Sequence, residues 1–212
     1  MDSASSTLNV ADIDLTIRLK RSLRKLPDPV DRLVHWWRVD ATLPFDPGGV
    51  DKRIPIGSGE IVFVDLTRVS MARANALRML DSHPGGVLKV AEEVLTESGD
   101  GFVPELQNQC DMTLCSQLLV LDRVRVVPQW RGHGLGPIIA AHVIDVLASQ
   151  HTLTACYPAP VEGDAVSGPG RARAMDALGR TWAKVGFEHF RNDIWVLGFQ
   201  AFNEHFVTVT AQ

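Results

Sequence analysis

The 212-residue sequence predicts an α+β chain, a central mixed sheet flanked by helices. Three observations point there. Apolar residues alternate at period two from Asp12 to Leu19, and β-branched runs fill Glu60 to Val69 and Ser116 to Val127. Apolar residues recur at helical spacing from Pro137 to Ser149 and from Arg171 to Val185. Between the strongest strand and the most apolar helix lies a glycine-rich run, Val126-Val127-Pro128-Gln129-Trp130-Arg131-Gly132-His133-Gly134-Leu135-Gly136.

The elements follow in order. Residues 1–10 are polar and read as a disordered N-terminus. The first strand puts Ile13, Leu15, Ile17 and Leu19 on one face. Asp28 and Pro29 suit the N-cap and first position of a helix running to about Trp37. Thr42 to Gly59 is rich in Pro and Gly and reads as loop. A strand, Glu60 to Val69, precedes two helices, Ala72–Leu80 and Val87–Thr96, broken at His83-Pro84-Gly85-Gly86. Gly99 to Asp111 reads as loop. The strand Ser116–Val127 leads through the glycine run into the helix 137–149, with Ile138, Ile139, His142, Val143, Val146 and Leu147 near one face. Thr152 to Tyr157 is a strand, Pro158 to Gly170 a loop, and Arg171 to Val185 a helix closed by Gly186. Phe187 to Phe199 and Ala201 to Thr210 complete the sheet; the apolar Phe202 to Val209 fits the monomer sheet or a homodimer edge.

Composition bounds the function. The formal net charge is −4, and a nucleic-acid binder would show a basic excess. The basic stretch Arg18 to Lys25 reads as a solvated face before it reads as a polyanion patch. Three cysteines, Cys110, Cys115 and Cys156, give no disulfide framework and suit a reducing, cytoplasmic setting. Met1 to Asn9 has no apolar signal core, and no run reaches the ~18 apolar residues of a membrane span. Neither H-E-x-x-H nor C-x-x-C occurs, so no metal is expected. G-x-S-x-G is absent too, which removes the hydrolase elbow.

A strand ending in glycines that open a helix presents backbone N–H groups and a positive dipole end to one point, which is an anion site. No Lys-Ser/Thr pair follows, so this is not a nucleoside-triphosphate loop. The third glycine of a dinucleotide loop would fall on Pro137 or Ile139, so that motif fails as well. Pro137 suits the first turn of a helix and removes one donor.

Arg131, Gly134 and Gly136 do fit R/Q-x-x-G-x-G/A. With Trp182-Ala183-Lys184-Val185-Gly186-Phe187 as an aromatic-x-Lys-x-Gly-Phe helix ending, residues 117–199 resemble the GNAT superfamily of N-acetyltransferases. The resemblance implies one GNAT-like domain over residues 11–212 with its cofactor-binding core at about 116–199. It also implies a helical insertion before the cofactor-binding strand, in 70–115, on the substrate side or at an interface.

The resemblance further implies acetyl-CoA as co-substrate and a small-molecule or protein amine as acceptor. In that family the strands flanking the loop helix splay apart and the pantetheine arm pairs between them. Val124 and Val126 would lend it backbone groups, and an N–H near Val126 would polarise the acetyl carbonyl. The amides of Arg131, Gly132, His133, Gly134, Leu135 and Gly136 would hold the pyrophosphate, with the His133 ring as a further donor or merely solvated.

Amine attack needs a general base. Asp122 stands where several members place one, on the face of Val124 and Val126 by period two, unless it pairs with Arg68. Arg123 and Arg125 would then point to the opposite face, to pair with Asp65 or Glu60 or to meet an acidic substrate. The family's usual acid, a helix Tyr, is replaced by Trp182, which cannot act as an acid near neutral pH. Its frequent helix Asn is replaced by Met175. Tyr157, the one tyrosine, is the substitute acid, or packs. The alternative to an enzyme is a non-catalytic acyl-CoA sensor of the same fold.

Overall fold

Seven strands form one sheet in the order β1-β2-β3-β4-β5-β7-β6 in the computed structural model, which describes residues 10–20, 30–45, 52–81, 86–109, 115–160 and 169–210. The strands are β1 Asp14–Lys20, β2 Val34–Phe45, β3 Lys52–Asp65, β4 Gln117–Val126, β5 Thr152–Cys156, β6 Glu188–Arg191 and β7 Ile194–Gly198. Every neighbouring pair is antiparallel except β4 with β5. A mixed sheet with one parallel pair needs one long crossover, and α6, Leu135–Leu147, supplies it.

Helices cover both faces. On one, α2 (Leu66–Met71), α3 (Ala76–Leu80), α4 (Val87–Val94) and α5 (Pro104–Gln109), all between β3 and β4, close over Val62, Val64, Leu118 and Val120. On the other, α6, α7 (Pro169–Ala183) and α8 (Phe199–Thr210) close over Val39, Ile61, Leu119 and Leu121. Leu118 to Leu121 are all buried because a central strand has no solvent side.

Several sequence expectations change. The helix expected to run to about Trp37 ends at Leu33: α1 spans Val30–Leu33 and the chain then extends as β2, while Asp28 and Pro29 lie outside the described residues. Thr42 to Gly59 is largely strand, since β2 and β3 form a long hairpin whose connection, 46–51, lies outside the described residues. Val39 and Ala41 are fully buried there, so packing outweighs the flanking Pro and Gly. Leu66 to Val69 belongs to α2, because Asp65 caps that helix through the Arg68 N–H at 3.1 Å. Residues 104–109 are α5 rather than loop.

The last element is a helix, not a strand. In α8, Phe199, Phe202, Phe206 and Val209 turn onto one side and pack on the sheet at spacings of three and four. No apolar C-terminal strand is therefore presented for pairing. In α6 the buried set is Leu135, Pro137, Ile138, Ile139, Ala140, Ala141, Val143 and Ile144, while His142 and Val146 are exposed. The small Ala140 and Ala141 let the helix sit close to the sheet. The N-terminal residues 1–9, Cys110 and the basic residues 21–25 lie outside the described residues.

Candidate functional site

The glycine run folds as the sequence predicts. A 3-10 turn, Pro128–Trp130, leads into a loop with Gly132 at φ 85° and Gly134 at φ 71°, and Gly134 is the N-cap of α6. A Cβ at either glycine would meet nothing within 4 Å. The requirement is therefore the left-handed backbone and not space. Leu135 and Gly136 begin the helix, and their N–H groups have no partner within it. Pro137, third in the helix, has no N–H to offer. His133 and Arg131 are exposed beside this donor set.

The loop stands at the end of β4, where the sheet opens. β4 pairs with β5 only from Gln117–Thr152 to Leu121–Cys156, yet runs on to Val126. Its other edge stays paired with β3 as far as Val126–Gly57, and Val127 N–H donates to Ile56 O at 2.9 Å. By ladder alternation Val124 and Val126 turn their backbone groups away from β3, toward the open side. There the Arg131 Nε donates to the Val126 carbonyl at 3.1 Å.

The sequence placed Asp122 on the face of Val124 and Val126, and this is overturned. The register shifts at Glu60/Ile61: Ile61 pairs with Leu121 and Glu60 with Arg123, so Asp122 is the extra residue of a β-bulge. Alternation resumes with its sense reversed. Leu119, Leu121, Val124 and Val126 all pack on the α6 side, while Asp122 turns to the α4 side. Arg123 turns the same way, with its Nε 3.4 Å from Asp122 Oδ2 and Nη1 3.9 Å from Glu60 Oε2. The Glu60 pairing thus stands and the Asp65 one does not. Nor does Asp122 pair with Arg68.

Asp122 is a buried acid, with 2% of its side chain exposed. Gly86 N–H, at the start of α4, donates to Oδ1 at 2.9 Å. Oδ2 is buried with no hydrogen-bond partner among the described residues. Burial raises the carboxyl above its ordinary range, the Gly86 bond and the Arg123 guanidinium oppose that, and the Glu60 carboxylate reinforces it. The outcome is a carboxylate that binds a proton more readily than usual.

Tyr157 lies beside it. A Cβ on Gly86 would stand 3.4 Å from the Tyr157 Cδ1 and 3.6 Å from Asp122 Oδ1, so the glycine is where the two side chains meet. Lys89 Nζ sits 3.7 Å over the Tyr157 ring, and Arg171 Nη2 is 3.5 Å from its hydroxyl. Burial alone would raise the phenol; Arg171 and Lys89 outweigh it and bring it below its ordinary value. Gly86, Lys89 and Arg171 had no functional signal in the sequence beyond the glycine break before α4.

Trp182 is 8% exposed and packs edge-on against Phe187 at 5.7 Å between ring centres, so it belongs to the α6-side core. Cys156 is fully buried, and burial pushes its thiol far up; Cys115 is half-buried and raised for the same reason. Among the described residues no three His, Cys, Asp or Glu side chains converge as a metal would need, and no helix is long and apolar enough to cross a membrane.

The structure therefore holds a donor-rich loop, a stretch of β4 with no β5 partner among the described residues, a buried carboxylate and a phenol, with the loop on one face of the sheet and the two acids on the other. No family model, no curated protein and no solved structure matches this chain.

Proposed function

We propose that the protein is an acyl-CoA-dependent N-acyltransferase that moves an acetyl group from acetyl-CoA to an amine by direct attack. One observation carries the reading. β4 leaves β5 at Leu121–Cys156, and the freed edge lies between an anion-binding loop and a buried carboxylate that faces the other side. A thioester arm laid along Val124 and Val126 would place its phosphates at the α6 N-terminus and its acyl carbon near Asp122.

Asp122 takes a proton from the acceptor ammonium, directly or through water. The freed nitrogen lone pair attacks the thioester carbonyl carbon, and a backbone N–H of the open edge steadies the oxyanion. The C–N bond forms, the C–S bond breaks, and the thiolate leaves as a thiol with a proton from Tyr157; the nitrogen's second proton restores the Tyr157 phenol, directly or through water. The phenol is suited to this because two cations ease its ionisation. The proton on Asp122 goes to solvent.

A sensor that binds acyl-CoA without turnover is the second reading. Trp182 favours it, since its indole is locked in the core where the resemblance places an acid. A melting scan with acetyl-CoA, against NAD and ATP, tests the shared premise. Ligand at about a hundred times its dissociation constant adds about 2.7 kcal/mol. That is roughly 5–10 °C for a chain of this size. A shift with acetyl-CoA alone supports the loop assignment; its absence overturns both readings. Release of free thiol with an amine present then separates enzyme from sensor.

A further inference from the structure

The bulge that turns Asp122 to the α4 side also decides the side from which an acceptor reaches it. Register carries a charged row across four strands on that face: Arg18 opposite Arg38, Arg38 opposite Glu60, Glu60 opposite Arg123. The next row is Thr16, Asp40, Ser58 and Arg125. Like charges set opposite one another weaken a sheet. Arg18 and Arg38 are tolerated because Asp40 takes both, and its carboxyl ends below the ordinary range although burial alone would raise it.

Between the rows lies a recess of about 180 Å³, lined by Arg38, Ser58, Glu60, Arg123 and Arg125. Arg38, Glu60 and Arg123 keep 62%, 49% and 40% of their side chains in solvent. Arg38 reaches Asp40 at 3.3 Å, and Arg123 is shared between Glu60 and Asp122 at 3.9 and 3.4 Å. These are longer than the ~2.7–2.9 Å of a tight charge-assisted bond, and each guanidinium carries five donors. Arg38 and Arg123 thus keep donors to spare at the recess, with Asp40 beyond Arg38 at one end and Glu60 and Asp122 beside Arg123 at the other.

We propose that this recess takes the carboxylate of an acceptor that is itself a small amino acid, and that the amine of that acceptor points at Asp122. The role of the amine rests on the acyl-transfer reading; binding in the recess does not. A polyamine or a lysine-rich peptide meets three arginines of its own sign. An uncharged monoamine finds no use for them. A zwitterion matches both signs, and the volume suits a molecule of that size.

Ligand-observed NMR on the full chain, with a mixture of the proteinogenic amino acids and a mixture of their carboxamides, tests this. At least one amino acid should bind about ten-fold more tightly than its carboxamide. Arg38→Gln and Arg125→Gln, both at solvent-facing positions, should each remove that preference and leave the acetyl-CoA melting shift in place. Equal binding of acid and amide, no binding of either, or variants that keep the preference would overturn the proposal. The acetyl-CoA shift, measured on the same samples, separates this failure from that of the acyl-transfer reading.

Discussion

Gly86 donates its backbone N–H to Asp122 Oδ1 at 2.9 Å, so the first turn of α4 holds a carboxylate carried by the middle of β4. The helix end favours the charged form and burial disfavours it. Burial prevails, and the acid is raised. The helices between β3 and β4 are therefore tied to the candidate chemistry and do more than cover the sheet.

Asp122→Asn keeps the shape and can still accept from Gly86. Acyl transfer should fall by about 10²–10⁴-fold, the usual worth of a general base. Acetyl-CoA should raise the melting temperature as it does for the unaltered chain. An unchanged rate of thiol release would remove Asp122 from the mechanism.

The same substitution has a stability signature with a definite sign. An acid whose folded-state value is raised contributes stability below its unfolded value, 3.8, and loses it as pH rises through the folded value. At neutral pH the ionised Asp122 therefore costs stability that Asn does not. Melting curves should show Asp122→Asn above the unaltered protein near pH 7, with the gap narrowing as pH falls toward 4. A gap that widens on acidification contradicts the assignment.

Tyr157 is the one tyrosine in the chain, so tyrosinate absorbance titrates it alone. Removing Lys89 as Lys89→Met, or Arg171 as Arg171→Met, should move that titration to higher pH. The lowered phenol adds stability only in the alkaline range and loses it as pH falls through the folded value, so melting near pH 7 should not register the phenol's shift. A titration that stays where it was would mean the two cations do not act on the phenol.

Gly134→Asp separates loop chemistry from folding. Asp tolerates the left-handed backbone better than most residues and is a good N-cap, so stability should change by about 1 kcal/mol or less. Its negative charge occupies the point where a phosphate would sit. The acetyl-CoA shift should disappear while circular dichroism stays the same.

Gly179→Ala probes packing away from the site. A Cβ there would lie 2.5 Å from Trp195 Cζ2, so α7 must move off β7. Such overpacking costs about 1–3 kcal/mol, which is roughly 2–12 °C. Gly101→Ala, with open space around its Cβ, is the control and should melt unchanged.

The parts of the fold written in local pattern were readable. β4, the glycine turn, α6 and β5 each carry their own periodicity or dihedral demand, and the structure has them within a residue or two. β2 was not readable, because the helix that begins at Val30 reads on to Trp37 in the sequence but ends at Leu33, and Pro44 and Pro47 read as loop. What makes β2 a strand is its pairing with β1 and β3, distant in sequence. α8 was hidden by Val207, Thr208 and Val209, whose branching reads as strand, although the phenylalanine spacing is helical.

The bulge left no trace. No glycine or proline stands in β4 beside it, and only the register with β3 shows that one residue is extra. That single residue reversed the predicted facing of Asp122 relative to Val124 and of Arg123 relative to Asp122. The cations around Tyr157 come from α4 and α7, and nothing in either segment announces that they meet.

The early parting of β4 and β5 has a mechanical meaning. Five residue pairs, Gln117–Thr152 to Leu121–Cys156, make up the strand ladder among the described residues between a four-stranded half, β1 to β4, and a three-stranded half, β5 to β7. A seam so short is where a sheet would be expected to breathe first. A molecule pairing with both strands beyond Leu121 and Cys156 would lengthen the seam and act as a clasp. Amide exchange in β7 and β6 should then slow on loading by more than exchange in β2, so that the occupancy of the cleft is recorded in the stiffness of strands the ligand never touches.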